Sequence, residues 1–513
     1  MDEAFNLLDE PWLAVRMHDG QVRELGLLAL FEQAGEISAL AETSPPSLIA
    51  QYRLLLAITH RAISQAQGRW TDAERVRWYQ SGLPLAAIRE YQQHWRERFW
   101  LFHPQHPFMQ VAALAEAEET RDKLKPWTQI SLASANGNAP VVFDHSCDLA
   151  PRSIAAAGAL RTLLGFLQFT PGGLVKTLRD SDKAGALANT AAVMPVADSL
   201  AQSLCLALHP PIQTGHDDLP AWERNTPSIA QLRGDPEVAT GPNDRYTRQS
   251  RAVLLLADDE QRVQWIRFAA GLALGDDVQA PDPMASYRAG SNSLVRLSFS
   301  EGRALWRDLP ALLPDAEGKA SQPAAVLEWA ANLQFYLGNG VQPLLIAGLA
   351  SDQAKLLRWR SERIALPAKL LASADHANEL RRYVRDAEEL FTALRKLATG
   401  MLAETLPDPG SKDTWARARS LIDAGPVGAL YFASAERHLG RVMVLLGNDE
   451  LDEAEVLWRQ SLHEAARDAW QAVLAGLGRG AKALRAEARH HPRLLGLLAP
   501  LRETPTPDKE VRA

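Results

Sequence analysis

Apolar positions recur at two different spacings along this chain, and the change from one to the other near residue 370 divides it. Before that point the texture is mixed. Asn6 to Arg16 reads as extended chain with a turn at Asp9-Glu10-Pro11. A His18-Asp19-Gly20 turn and a second extended piece, Val22 to Leu25, then predict a small hairpin. Ser47 to Ala66 and Leu85 to Phe102 carry a helical pattern, joined through Tyr79 to Pro84. Strands are predicted over Ala252 to Leu256, Val263 to Phe268 and Ser293 to Phe299, where Val295, Leu297 and Phe299 alternate with Arg296 and Ser298. Between these elements run loops: Asn136 to Pro140, Pro171-Gly172-Gly173, and the aperiodic stretch Pro210 to Pro242.

After Pro367 the period becomes helical. Leu380, Val384, Ala387, Phe391 and Leu394 recur at steps of three and four, as do Trp458, Leu462, Ala465 and Ala469. Such stripes cannot remain in water, and several helices joined by short turns cover one another most simply as a bundle. The expected organisation is α+β: an irregular mixed α/β body over residues 1–370, a helical bundle over 371–502 and a flexible tail over 503–513.

Charge and cysteine content narrow the function. A net charge of -7 over 513 residues argues against a general nucleic-acid coat, so any contact with phosphates belongs to local patches or is shared with basic partners. Two cysteines, Cys147 and Cys205, make neither a disulfide framework nor a four-thiolate zinc site, which fits a reducing cytoplasm. The first residues begin acidic and lack a secretory pattern, and no apolar run approaches the ~20 residues of a membrane span, so no membrane association is expected.

Candidate catalytic chemistry is thin. His103 and His106 stand before prolines in HPQHPFMQ, a pattern of turns more than of metal ligands. Asp144-His145 has no nucleophile elbow, and the adjacent acids Asp259-Glu260 and Asp276-Asp277 read as solvent-facing turns. No catalytic set, metal site or cofactor is expected. Three places suit a polymer of phosphates instead, each against a plainer reading. Gly172 and Gly173 permit close backbone approach, with Lys176 and Arg179 following, or form an ordinary turn. Ser351-Asp352-Gln353 precedes Lys355, Arg358, Arg360 and Arg363, an amide beside cations or simply polar surface. Arg245, Arg248 and Arg251, with Tyr246 between, suit a minor groove or a solvated face.

In order along the chain, Asn6-Leu7-Leu8 with Pro11-Trp12 and Val15-Arg16, His106-Pro107-Phe108-Met109-Gln110, Arg245-Tyr246-Thr247, Asp352-Gln353-Ala354 and Ala435-Glu436-Arg437-His438 resemble the CasA family, the large subunit of the type I-E CRISPR surveillance complex Cascade. The resemblance implies an irregular α/β body followed by a four-helix bundle. It implies a noncatalytic subunit that reads the protospacer-adjacent motif on double-stranded DNA, helps open the strands and presents the target to a helicase-nuclease. Partners would be the CRISPR RNA-containing complex and its other subunits. By the same resemblance Gln353 corresponds to a wedge beside the motif, with Lys355 and Arg358 near it. Gly172 and Gly173, with Lys176, correspond to a glycine loop against the minor groove. The family's lysine finger falls near Arg251 to Val253, where this chain has no lysine, so Arg251 or Arg248 stands in for it. Asn136, Asn138 and Phe143 lie in the segment that docks near the guide RNA and the backbone subunit. The family's cysteine-rich element is absent, and no zinc is carried over. The competing reading is a structural helical interaction subunit with no DNA-motif recognition.

Overall fold

The computed structural model describes residues 3–134, 144, 147–173, 175–211, 217–276, 280–338, 340–352 and 355–502. The chain divides into two compact units. One comprises Met1–Glu301 with Ser321–Ala365, the other Gly302–Ala320 with Leu366–Ala513. Residues 302–320, expected in the body, therefore belong with the helices.

The body is built from small antiparallel sheets around buried helices. Leu13–Met17 pairs with Val22–Leu25 across the Asp19-Gly20 turn, where Gly20 takes φ +86, and its other edge meets Ile37–Leu40. The expected hairpin is thus present with a third strand added. Pro45–Gln67 forms a helix whose residues are buried from Pro45 to His60 almost without interruption, as expected of a helix enclosed on every side. Leu85–His94 is helical, but the helix stops short of the expected Phe102. A 3₁₀ turn intervenes, and Trp100–Phe102 becomes a strand on Ala4–Asn6, a partner some ninety residues away that local periodicity cannot reveal.

Arg251–Ala257 and Arg262–Ala270 form a hairpin in a second sheet of the body, in register from Trp265 opposite Leu256 to Ala270 opposite Arg251, with a shift between Trp265 and Val263, which lies opposite Ala257. Of the expected strand Ser293 to Phe299 only Leu294–Arg296 pairs. A further sheet orders Ala191–Pro195, Val341–Asp352 and Lys355–Pro367, with the middle strand bonded to both neighbours. These two long strands were not expected from sequence.

Much of the body is irregular backbone, and buried arginines satisfy it. Arg53, fully buried, makes a two-point ion pair with Asp282, Nη2 to Oδ2 2.8 Å and Nη1 to Oδ1 3.3 Å, across 229 residues of chain. Its guanidinium also lies 4.5 Å over the ring of Tyr246. Arg75 donates to the carbonyls of Cys205, Leu206 and Trp329 at 3.0, 3.1 and 3.1 Å. Two of those carbonyls stand at the end of the Leu200–Ala207 helix, where acceptors lack partners and positive charge is favoured.

In the second unit Ala374–Thr405, Lys412–Ala424, Val427–Glu436, Leu439–Gly447, Leu451–Leu477 and Ala481–Leu498 form a helical bundle. Val427–Glu436 and Leu439–Gly447 follow one another through Arg437 and His438, whose dihedrals stay right-handed helical. The expected stripe is the core: Leu380, Val384, Ala387, Leu394, Trp458, Leu462, Ala465 and Ala469 are buried. Segment 302–320 is held to it by Trp306, edge-on to Trp458 at 5.9 Å, and by Arg303 and Arg307. Both pair with Glu388, at 3.0 and 2.8 Å.

Burial pushes the Asp282 carboxyl upward, but Arg53, Arg245 and hydrogen bonds outweigh it and hold it below its ordinary 3.8. A depressed carboxylate stabilises fully above its unfolded value and loses that stabilisation as pH falls through the folded one. Asp282→Asn strands Arg53 without a counter-charge and is expected to destabilise the body by about 3–5 kcal/mol. A urea titration at neutral pH checks this; an unshifted midpoint refutes it.

Candidate nucleic-acid interface

The helix Ala156–Phe169 ends at Thr170, which precedes Pro171 and leaves the helical region at φ -59, ψ 133, as a residue before proline is pushed to do. The chain then makes a loop that closes on itself. Gly185 N–H donates to the Thr170 carbonyl at 2.9 Å, Leu187 N–H to Gln168 at 2.8 Å, and Gly173 N–H to Asp182 at 2.7 Å. Ala270 N–H, at the end of its strand, donates to Thr177 within the loop at 3.1 Å.

The two glycines are required for different reasons. A Cβ on Gly172 would lie 3.0 Å from the backbone nitrogen of Ala184 and 3.2 Å from the Asp182 carbonyl. Gly173 has open space around it but takes φ +85, where a side chain is strained. Lys176 is exposed beyond the neck, and Arg179 donates to the Gly234 carbonyl.

Arg251 clasps that neck from inside. It is 1% exposed, and its Nη1 sits 2.9 Å from Asp182 Oδ2. The same Nη1 donates to the carbonyls of Lys183 at 2.6 Å and Ser250 at 2.8 Å, while Nη2 donates to that of Pro171. Burial raises the Asp182 carboxyl above its ordinary range and lowers Arg251, each against the pull of its partner. A guanidinium bonded to both arms of a loop fixes their separation, and its planar fork suits that better than a lysine.

This placement corrects the expected roles of the arginine cluster. Arg251 and Arg248 lie inside the body, so neither is a cationic finger offered to an outside strand. Arg248 is 5% exposed, pairs with Asp244 at 3.1 Å and donates to the Ala273 carbonyl at 3.2 Å. Arg245 is buried too and donates to Ala280. The solvated-face reading fails equally. The short helix that carries Arg245, Pro242–Tyr246, is set in the interior, its first N–H groups held by Asp218, which accepts from Asn243 and Asp244 at 2.8 Å each.

The strands Val341–Asp352 and Lys355–Pro367 flank the position of Gln353. Gln353 itself, like Asn136, Asn138 and Phe143, lies outside the described residues. Lys355 and Arg358 belong by backbone to the second strand, and their side chains lie outside the described residues. Further along it Arg360 donates to the Ser300 carbonyl at 3.2 Å and lies over the Phe299 ring at 4.5 Å, so it is committed within the body.

The other motifs prove architectural. His103 Nδ1 accepts from the backbone of Gln105 and His106 at 3.0 and 2.8 Å, shaping the turn. Gln110 is buried: its amide donates to the Leu101 carbonyl at 2.7 Å and accepts from Leu255 N–H at 2.8 Å, tying two segments together. Asn6 Oδ1 accepts from Leu8 N–H at 3.1 Å, and the Trp12 indole donates to the Leu7 carbonyl at 3.1 Å. Arg437 pairs with Asp468 at 2.8 Å. Among the described residues no group of three His, Cys, Asp or Glu side chains is placed to hold a metal, and no helix is long and apolar enough to cross a membrane. Asp182, the partner on which the loop neck turns, carried no signal in the sequence.

A family model described as CRISPR-associated protein Cse1 matches residues 6–469. CRISPR-associated protein CasA/Cse1 of Thermus thermophilus is 35% identical over 97% of this chain and 98% of its own length. A solved structure of Thermus thermophilus CasA (Cse1) superposes with a TM-score of 0.82 at 32% identity, covering 97% of this chain and all of that one. A chain of a solved CRISPR RNA-guided surveillance complex matches at TM-score 0.73 and 23% identity over 96% of this chain and 99% of that one, a likeness of fold.

Arg251→Met keeps apolar bulk but leaves Asp182 buried without its counter-charge, at an expected cost of about 3–5 kcal/mol. Amide exchange at Gly173 and Gly185 should accelerate by about tenfold or more as the neck opens locally. Hydrogen-deuterium exchange read by mass spectrometry checks this, and unchanged protection of both amides refutes the clasp.

Proposed function

The chain belongs to the CRISPR-associated Cse1 family, and from that premise we propose that it is the noncatalytic large subunit of a CRISPR RNA-guided DNA surveillance complex. In that role it recognises the protospacer-adjacent motif in double-stranded DNA, promotes local strand opening and R-loop initiation, and helps recruit a helicase-nuclease. The observation that carries this is the family match across residues 6–469, joined by a relative similar over nearly the full length of both chains. The protein works in the cytoplasm with the other subunits and with no membrane. Asn136, Asn138 and Phe143 serve the docking of guide RNA or a neighbouring subunit.

Each part of the site has a physical task. Gly172 lets the two arms of the neck close, and Gly173, with open space around it, lets the loop backbone come against a minor groove, where a side chain would hold it off. Lys176, exposed beside them, neutralises a phosphate. Arg251 acts at one remove, by fixing the loop that makes the contact. Gln353, carried between two paired strands, occupies the place of a base and satisfies the polar edges it exposes, while Lys355 and Arg358 steady the backbone. No fuel is required, because the guide-target heteroduplex is about as stable as the duplex it replaces. A few kcal/mol at the first base pair decides whether pairing begins. A subunit of net charge -7 adds little indiscriminate affinity, which allows release from DNA without the motif.

Gln353→Ala in the assembled complex is expected to slow R-loop formation on a correct target by about tenfold or more, one lost set of base-edge contacts, while leaving assembly intact. Stopped-flow base unstacking at the motif-proximal pair measures it. Undiminished opening rejects the wedge. Exchanging the motif flanking a matched target separates this function from a purely structural subunit, for which binding would not respond.

A further inference from the structure

A cavity of about 860 Å³ opens within the helical unit, between Ala374–Thr405 and Ala481–Leu498 and beside the turn Pro407–Gly410. Its size is that of a small-molecule site. Small residues make its floor. At Gly400 a Cβ would lie 3.2 Å from His490 Cε1 and 3.3 Å from Trp415 Cη2, so the bare backbone lets both rings settle onto the helix.

The walls are basic. Lys396 stands on one helix, and Lys482, Arg485, Arg489 and Arg493 recur on the other at steps of three and four, which sets them on one face about 5.4 Å apart per turn. Of the two acids in the lining, Glu404 is already engaged by His490 at 3.1 Å and Arg489 at 3.3 Å. Lys396, Lys482, Arg485 and Arg493 have no ion-pair partner among the described residues. Like charges gathered around one concavity repel one another unless an anion joins them.

Trp415 gives the site its second chemistry. It lines the cavity with one edge over Gly400, is 40% exposed, and has no ring stacked on it among the described residues. A tryptophan face beside several free cations is the combination that holds a base and its phosphates together.

We propose that this cavity binds a nucleoside phosphate, its base stacked on Trp415 and its phosphates held by Lys396, Lys482, Arg485 and Arg493. The unit comes either as a free nucleotide or as part of a single strand. Nothing in this depends on motif recognition by the body.

The test uses the full chain with two fluorescent probes, an ATP analogue and a labelled oligothymidylate. Trp415→Ala should weaken binding by about tenfold. Trp415→Leu, which keeps apolar packing on Gly400, should weaken it equally, so that a folding defect in the first variant is not mistaken for lost stacking. Lys482→Ala combined with Arg485→Ala alters exposed side chains only. It should reduce the slope of log K against log salt for the oligothymidylate by about 1.4, or roughly 0.7 per cation. Displacement of the oligothymidylate by ATP identifies a free-nucleotide site, and oligothymidylate binding that ATP does not displace identifies a strand site. The proposal is overturned if both tryptophan variants bind as the parent does, or if the double variant keeps the parental salt slope.

Discussion

Buried arginine is the interaction on which this fold depends. A body with so much irregular backbone must pair its interior carbonyls with something other than a helix or sheet ladder, since an unmet polar group costs about 1–3 kcal/mol. Arg75, Arg245, Arg248 and Arg251 each place a guanidinium among such carbonyls, and Arg53 locks onto Asp282. In the helical unit the half-buried Arg381 likewise donates to the carbonyls of Leu313 and Pro314 at 2.9 and 2.7 Å. Five donors in a rigid plane reach several segments at once, which a lysine cannot do. The price is that each charge must keep its acid, because an unpaired one in the interior is worse than none.

That economy also explains where charge is left for function. Cations enclosed in the body are not available to DNA, and the arginines that look most like a binding patch in the sequence, Arg245, Arg248 and Arg251, are all buried. Among the described residues of the loop, Gly173, Lys176, Asp180, Ser181 and Lys183 are exposed. With those arginines enclosed and a net charge of -7, the subunit adds little indiscriminate affinity for duplex.

How much was legible in the sequence follows from how far each signal travels. Leu13–Met17 and Val22–Leu25 are readable because the turn that sets their register lies between them. The bundle is readable because its apolar period runs through long helices. Ala191–Pro195 is not, since all five residues are buried and no alternation marks it. Trp100–Phe102 is a strand only because Ala4–Asn6 lies alongside. The arginine cluster misled for a related reason. Charged residues are seldom buried without partners, and the partners of Arg53 and Arg251 stand 229 and 69 positions away, beyond any local window. Of the candidate site, the glycine turn and the span around Gln353 stood out by residue type and were given roles by the resemblance, whereas Asp182 became visible only in three dimensions.

The loop neck has one more implication, for how the family can diversify. Gly172 is constrained by volume, Gly173 by dihedral angle, and the two arms by a guanidinium behind them, so the shape of the loop is dictated from within. Beyond the neck, buried Val175, Thr177, which accepts from Ala270 N–H, and Arg179, which donates to the Gly234 carbonyl, tie the loop to the body as well. Drift is therefore freest at the exposed positions Lys176, Asp180 and Ser181, while the scaffold that presents them stays the same.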